Sequence, residues 1–413
     1  MLLVLLACAA SKEAETPARC PAPVAVEAGC GDLDCDGAAD LALAQTEDSA
    51  GAYDTRSALL RGPDWSPLAS LPTLGADDVA IADLDGDDWP EVIFANLSDG
   101  VVRDVDSAIY WGGPEGFDEA RRTLLPTVGA ADVEVADVDL DGWPDLIFSN
   151  RYSGTGGISE ESYHVDVAVY LGGPEGYGPD RMWTVPGFGT AQTAVGDFDQ
   201  DGTIDLALAA GTFWATESWV YLGGPDGWTE ANRQSLPTLA PEAVLRHDLD
   251  ADGWLDLIYA NFYDALDTDI LSTVYWGGEG GFEPERRSDL PTHGADDLAL
   301  ADLDGDGCAE LIVANAMEGG MTETDFEASS EVWSFGVGVR EPTLRWSIPT
   351  VSAAAVSAGD LDGDGAIDLA FAQRYDAGGE AAGATVAIWW GPALTEVETV
   401  PAVGVAGLAM GLP

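Results

Sequence analysis

The sequence predicts an all-β chain: one seven-bladed β-propeller of four-stranded antiparallel blades, with an acidic loop between strands 1 and 2 of each blade. Three observations predict it. An acidic nonapeptide of the form Asp-x-Asp-x-Asp-Gly-x-x-Asp/Glu recurs from Asp32, Asp83, Asp137, Asp197, Asp248, Asp302 and Asp360, at intervals of 51 to 60 residues, a period typical of modular arrays. The runs between the copies are short, β-rich and apolar on consecutive positions, as in Leu146-Ile147-Phe148 and Leu257-Ile258-Tyr259. Strands of that kind are covered on both faces, as in radially stacked sheets. No stretch sustains the 3.6-residue periodicity of a helical domain. A length of 413 residues alone suggests two or three domains; the repeat overrides it.

Each unit has one internal order. In the second, Val79-Ala80-Ile81-Ala82 leads into the acidic loop Asp83 to Glu91, and Val92-Ile93-Phe94-Ala95-Asn96 follows. After a variable polar loop come Ala108-Ile109-Tyr110-Trp111 and the turn Gly112-Gly113-Pro114-Glu115-Gly116-Phe117, then Thr123-Leu124-Leu125-Pro126-Thr127. Four β-rich runs broken by Gly, Pro and Asp read as a meander. The expected blades span approximately 24–75, 76–129, 130–189, 190–240, 241–294, 295–350 and 351–413. The tail Val403 to Met410 resembles the start of another repeat. Either it closes the ring on the first blade, competing with Val24 to Ala28 for the inner position, or it begins an eighth blade.

Carboxylates at positions 1, 3 and 5, a turn at position 6 and a closing acid suit a hard cation. The candidate ligands are Asp32, Asp34, Asp36 and Asp40; Asp83, Asp85, Asp87 and Glu91; Asp137, Asp139, Asp141 and Asp145; Asp197, Asp199, Asp201 and Asp205; Asp248, Asp250, Asp252 and Asp256; Asp302, Asp304, Asp306 and Glu310; Asp360, Asp362, Asp364 and Asp368. The all-oxygen donor set favours Ca2+, up to seven ions, over softer metals. The plain alternative, that Asp-Gly pairs merely mark hairpins, does not explain four acids per turn, which repel one another without a cation. Asp88 replaces the usual glycine at position 6 of the second loop, so that site is expected to be distorted rather than lost.

The acidic loop together with the Gly-Gly-Pro-Glu-Gly-Phe turn resembles the calcium-bearing FG-GAP repeats of integrin α-chain propellers and the VCBS-type repeats of secreted bacterial proteins. The resemblance runs from about Val24 to Pro401. It implies a loop joining strands 1 and 2 of a blade and carries over the loop acids only. Propellers of this kind serve adhesion, ligand binding and scaffolding.

The formal charge is −58, and the seven loops hold 28 of the 74 acids. Seven bound divalent ions still leave about −44. Nucleic acids and anionic membrane faces are therefore poor partners, since phosphate backbones need clustered Lys and Arg. The opening Met1 to Ala7 followed by Cys8 looks like a bacterial lipobox, with residues 1–8 as a lipoprotein-type signal, Cys8 lipidated, 9–23 as tether and 24–413 as the ring. That implies export to the outer membrane or cell surface, with membrane contact only through the anchor. Export permits disulfides among Cys20, Cys30, Cys35 and Cys308, including a local bridge of Cys30 with Cys20 or Cys35.

Catalysis is not expected. His164, His247 and His293 lack zinc spacing, and no nucleophile elbow or phosphate loop is present. The expectation is a calcium-stabilised binding, adhesion or scaffold module. The rivals are a polysaccharide lyase or glycosidase on the same scaffold and a structural subunit of an outer-membrane assembly. A protein or glycan ligand is expected on the face opposite the acidic loops, where the loops between strands 2 and 3 lie. Asn150-Arg151-Tyr152, Asn261-Phe262-Tyr263 and Gln373-Arg374-Tyr375, with Tyr53 and Tyr163, supply aromatic and arginine side chains there, residue types enriched at binding hot spots.

Overall fold

The computed structural model describes residues 32–48, 50–155, 159–212, 214–225, 227–264, 266–319, 325–380 and 383–411. Cys8, Cys20, Cys30, the tether and Val24 to Ala28 lie outside them. The described residues form seven four-stranded antiparallel sheets. The inner strands of blades 2 to 7 are Ala76–Ala82, Ala130–Ala136, Thr190–Gly196, Pro241–His247, Ala295–Ala301 and Ala353–Gly359. Each packs on the inner strands of both neighbours, and the ring is closed.

Closure uses both ends of the chain. The inner strand of blade 1 is Val405–Gly411, paired antiparallel with Asp40–Gln45 so that Leu41 faces Met410 and Leu43 faces Leu408. The tail therefore belongs to the first sheet, not to the seventh blade's span, and it begins no eighth blade. In consequence the first acidic loop precedes strand 2 of its blade without leaving a covalently linked strand 1. The other six loops join strands 1 and 2, as expected.

The second strands, such as Glu91–Asn96, Asp145–Asn150 and Asp256–Asn261, are buried along their whole length. That explains their unbroken apolar runs: each side chain faces a neighbouring blade on one side or the other. Ile93, Ile109 and Leu125 of blade 2 pack with Val133, Leu146 and Phe148 of blade 3, each such side chain contributing about 1.5–3 kcal/mol on burial. Outer strands such as Arg122–Pro126 are mostly exposed.

Recurrent polar residues stitch the blades. The hydroxyls of Tyr170 and Tyr221 donate to the carbonyls of Pro126 and Pro186, one blade back, at 2.5 and 2.7 Å. Asn96 accepts from the N–H of Leu74 in blade 1 and donates to Asp106 of its own blade, and Asn150, Asn261 and Asn315 repeat the pattern. The threonine of each Leu-Pro-Thr end meets a buried serine on strand 3, as in Ser107–Thr127 at 2.8 Å. These bonds keep buried polar groups satisfied.

Blade 6 departs from the pattern. Its last two strands, Ser329–Gly336 and Val339–Pro349, meet in a tight hairpin without the Gly-Gly turn. The hairpin tip leans back on blade 5, where the Gly338 N–H donates to the Asp250 carbonyl and Phe335 packs edge-on against Trp276.

Candidate metal loops and the axial pocket

Two clusters of charge lie at opposite ends of the ring. At one end are the seven acidic loops. Their backbone is left-handed at position 6 in every copy, from φ 70° at Asp88 to 93° at Gly37 and Gly253. Asp88 accepts this conformation, and its N–H donates to Asp83 at 3.1 Å, as the position-6 glycines do to their own first acids. Asp83 Oδ1 takes the N–H of Gly86, as Asp360 Oδ1 takes that of Gly363 in the seventh loop, which keeps its glycine, so that bond is no distortion due to Asp88. Position 4 is also left-handed in all seven loops, filled by Cys35, Gly86, Leu140, Gln200, Ala251, Gly305 and Gly363. The sequence reading missed this requirement, because four of the seven residues carry side chains that disfavour it.

The loop carboxylates accept local N–H groups. Position 5 accepts from position 7 in each copy, for example Trp143 to Asp141 at 3.0 Å. The closing acid at position 9 accepts from position 2, as Leu249 to Asp256 at 2.9 Å. Its second oxygen accepts from the first glycine of the turn after strand 3, as Gly277 to Asp256 at 2.8 Å and Gly172 to Asp145 at 2.8 Å. That glycine is obligatory: a Cβ on Gly172 would lie 2.0 Å from the Pro144 carbonyl. Among the described residues Glu310 has no glycine partner of this kind and accepts from Leu303, in keeping with the altered turn of blade 6. Burial raises the proton affinity of the closing acids, to about 8 for Glu91 and Asp256 and about 7 for Glu310, against the lowering effect of their N–H partners.

The donor sets fit a divalent cation. Carboxylate oxygens of Asp83, Asp85 and Glu91 lie within 4.8 Å of one another, as do those of Asp137, Asp139 and Asp145, of Asp197, Asp199 and Asp205, and of Asp248, Asp250 and Asp256. In the first loop Asp32, Asp34 and Asp36 converge in the same way, and the buried Asp34 Oδ1 has no hydrogen-bond partner. These clusters are able to hold metal ions through oxygen alone. Cys35 and Cys308 occupy loop positions 4 and 7, outside the acid positions, and Cys308 is disulfide-bonded.

At the other end, a pocket of about 410 Å³ opens on the ring axis. Its walls carry Asp77, Asp78, Asp132, Glu134, Glu242, Asp296 and Asp297, with Arg151 and Arg374. The inner strands place these acids. Each inner strand has a register shift near its start, at Ala76/Asp78, Ala130/Asp132 and Ala295/Asp297 among others. A shifted residue is lost to its own ladder and turned toward the axis. The acid after the shift then reaches the next blade: Asp78 accepts from the Val133 N–H at 3.1 Å, Asp132 from Thr193 at 3.2 Å and Asp297 from Val356 at 2.8 Å. Gln192 does the same for Val244 at 2.8 Å.

Arginines from two loops and from one inner strand answer part of the remaining charge. Arg151 pairs with Glu242 at 2.6 Å, Arg246 with Glu134 at 2.8 Å, and Arg374 lies 3.9 Å from Asp77. Arg374 Nε is buried without a hydrogen-bond partner. Burial pushes Asp296 and Asp297 up to about 7, Asp296 against the pull of Arg374, and Asp78 to about 6. The loop residues singled out in the sequence divide here. Arg151, Phe262 and Arg374 line the pocket, whereas Tyr163 and Tyr263 are buried in the loop layer, Tyr163 within 5.7 Å of Tyr152 and 5.4 Å of Trp214. The axial acids went unrecognised in the sequence. Their signal is a polar residue five positions before the loop start, as Asp78, Asp132, Gln192 and Asp297 stand to Asp83, Asp137, Asp197 and Asp302.

Comparison with known proteins agrees with this architecture. An FG-GAP-like repeat model matches residues 83–148 and 248–313, and an FG-GAP repeat model matches 295–332. No curated protein matches the chain. Among solved structures, a Bacteroides uniformis protein described as a candidate 6-phosphogluconolactonase superposes with a TM-score of 0.58 at 10% identity, covering 91% of this chain and 100% of its own. A Bacteroides fragilis protein described in the same way gives 0.56 at 11% identity, covering 91% and 98%. A Lactobacillus plantarum protein gives 0.53 at 12% identity, covering 90% and 99%. At such identities the likeness concerns the fold alone. The chain is thus a closed ring of seven four-stranded blades that carries FG-GAP-type repeats over residues 83–148 and 248–332.

Proposed function

We propose that the protein is a calcium-stabilised binding module whose ligand, a glycan, enters the axial pocket opposite the acidic loops. The observation that carries this reading is the convergence of Arg151, Phe262 and Arg374, from three separate loops, on one polar pocket. Carboxylates and guanidinium groups at close quarters match the paired hydroxyls of a sugar, an aromatic ring offers a face for stacking, and Arg374 Nε still lacks an acceptor. A phosphorylated sugar lactone, the ligand class suggested by the names of two fold relatives, suits the pocket poorly. Seven carboxylates against two lining arginines repel anions.

Calcium acts in this reading as a structural ion in the loops and takes no part in ligand binding. The protein is exported and tethered through lipidated Cys8. Incorporation of a labelled fatty acid, abolished by Cys8→Ser, is the expected result for that anchor.

One observation favours a second reading as a carbohydrate-active enzyme: acids with raised proton affinity, Asp296 and Asp297, stand in the pocket, and general acids need that property. Screening the calcium-loaded protein against glycans and polysaccharides, with product detection, separates the two. Binding without turnover, reduced at least tenfold by Arg374→Met, supports the module. Shortened polymer supports the enzyme, and binding to proteins but not glycans would overturn the ligand class.

A further inference from the structure

The seven loops differ at their third-position acid. In three of them an arginine holds that carboxylate by one oxygen. Arg61 Nε lies 2.5 Å from Asp34 Oδ2, Arg340 Nε 2.7 Å from Asp250 Oδ2, and Arg345 Nη2 2.6 Å from Asp304 Oδ2. Arg340 also reaches the fifth-position acid, with Nη2 2.8 Å from Asp252 Oδ2. No guanidinium contacts Asp85, Asp139, Asp199 or Asp362 among the described residues; the nearest case is Arg181, 4.0 Å from Asp141 in the third loop.

In each of the three loops the arginine takes Oδ2 and leaves Oδ1 on the loop side. Asp250 Oδ1 accepts the Asp252 N–H and Asp304 Oδ1 the Asp306 N–H, each at 3.2 Å, while Asp34 Oδ1 is buried and unpartnered. The carboxylate is thus oriented before any ion arrives, and its charge is already partly neutralised. Two of the arginines come from their own blade. Arg340 comes from the blade 6 hairpin and clasps blade 5, its guanidinium 5.2 Å from the Trp276 ring.

We propose that the propeller carries two classes of divalent-cation site: loops 2, 3, 4 and 7 fill first, and the arginine-held loops 1, 5 and 6 fill last. The proposal rests on the reading that the loops bind calcium. Affinity in oxygen-donor loops follows the number of ligand charges and the rigidity of the site. An arginine lowers the effective charge and places a positive group next to the incoming ion. It also rigidifies the empty loop. The first effect weakens binding. The second keeps the loop, and the contact between blades 5 and 6, in place without metal. Arg61, Arg340 and Arg345 are positioning residues that act through the acids.

Calorimetric calcium titration of the chelator-treated full chain tests this, alongside melting with and without calcium. Wild type is expected to bind in two phases, separated by about tenfold or more in affinity. In Arg340→Met one site moves from the weak phase to the tight phase at unchanged total stoichiometry, and the calcium-free protein melts lower. Arg340→Lys, which keeps the charge on a smaller head group, retains the weak phase. A single phase in wild type, or an Arg340→Met isotherm that is unchanged or weakened, would overturn the proposal while leaving calcium binding standing. No calcium uptake at all would remove the underlying reading and the proposal with it.

Discussion

The two ends of the ring hold similar chemistry under opposite rules. At the loop end, carboxylates recur every 51 to 60 residues and find their N–H partners within nine residues or at one fixed glycine. At the axial end, the acids are irregular from blade to blade, and their partners lie on neighbouring blades or on distant arginines such as Arg151. Periodic acid recurs in every blade, as a structural device would. Aperiodic acid breaks the pseudo-symmetry and builds one asymmetric pocket. The comparison locates specialised chemistry by where the repeat fails.

The largest expected effect breaks the loop rule. Asp256→Ala strips the acceptor from two N–H groups, those of Leu249 and Gly277, and should cost about 2–6 kcal/mol in urea unfolding in chelator, since each unsatisfied buried donor costs about 1–3 kcal/mol, with a further loss in calcium because Asp256 also stands in the donor cluster with Asp248 and Asp250. Asp252→Ala, at an exposed position of the same loop, should show most of its loss only when calcium is present. Equal losses in the two variants in chelator would contradict the stapling role of the closing acid.

Next in size is the axial counterpart. Asp132→Ala frees the Thr193 N–H and the Ser149 hydroxyl, with an expected cost of about 2 kcal/mol that calcium does not alter. A calcium-dependent loss would mean that the two ends are not independent.

The pH dependence sharpens the same contrast. The folded proton affinity of Asp297 is raised to about 7, chiefly by burial, above that of an ordinary unfolded aspartate. A raised group contributes stability at low pH that is lost as pH climbs through the folded value. Stability should therefore fall between about pH 4 and 7, and Asp297→Asn should flatten that slope when both proteins are held in saturating calcium. A steeper slope in the variant would contradict the assignment. The smallest effect is local: Leu140→Gly relieves a left-handed residue at φ 60° and should stabilise the fold by up to about 1 kcal/mol, whereas Gly142→Leu, at position 6, should destabilise it.

Much of the ring was legible because its determinants are local. The loop acids, the apolar second strands, the recurrent Asn residues and the Leu-Pro-Thr ends each repeat at a fixed offset, and each occupies the same place in the blades that carry it. What escaped was non-local or masked by tolerated strain. The left-handed fourth position shows glycine in only three loops. The pairing of Gly277 with Asp256 joins residues in separate turns. Asp77-Asp78 and Asp296-Asp297 read as ordinary polar strand starts until the register shift turns them toward the axis. The Arg340 clasp depends on a hairpin that replaces the usual turn in blade 6 alone. The tail offered two possibilities, and only the pairing of Leu41 with Met410 decides between them.

The central claim is that the loops are clamps for a divalent ion and that the ring leans on them. The most direct measurement is the melting temperature of the full chain after chelation and again after calcium is restored. Binding to the folded state alone stabilises by about 2.7 kcal/mol per site when calcium stands at 100 times the dissociation constant. The account predicts a lowered transition on chelation and its full recovery with calcium. Identical melting curves in chelator and in calcium would contradict it.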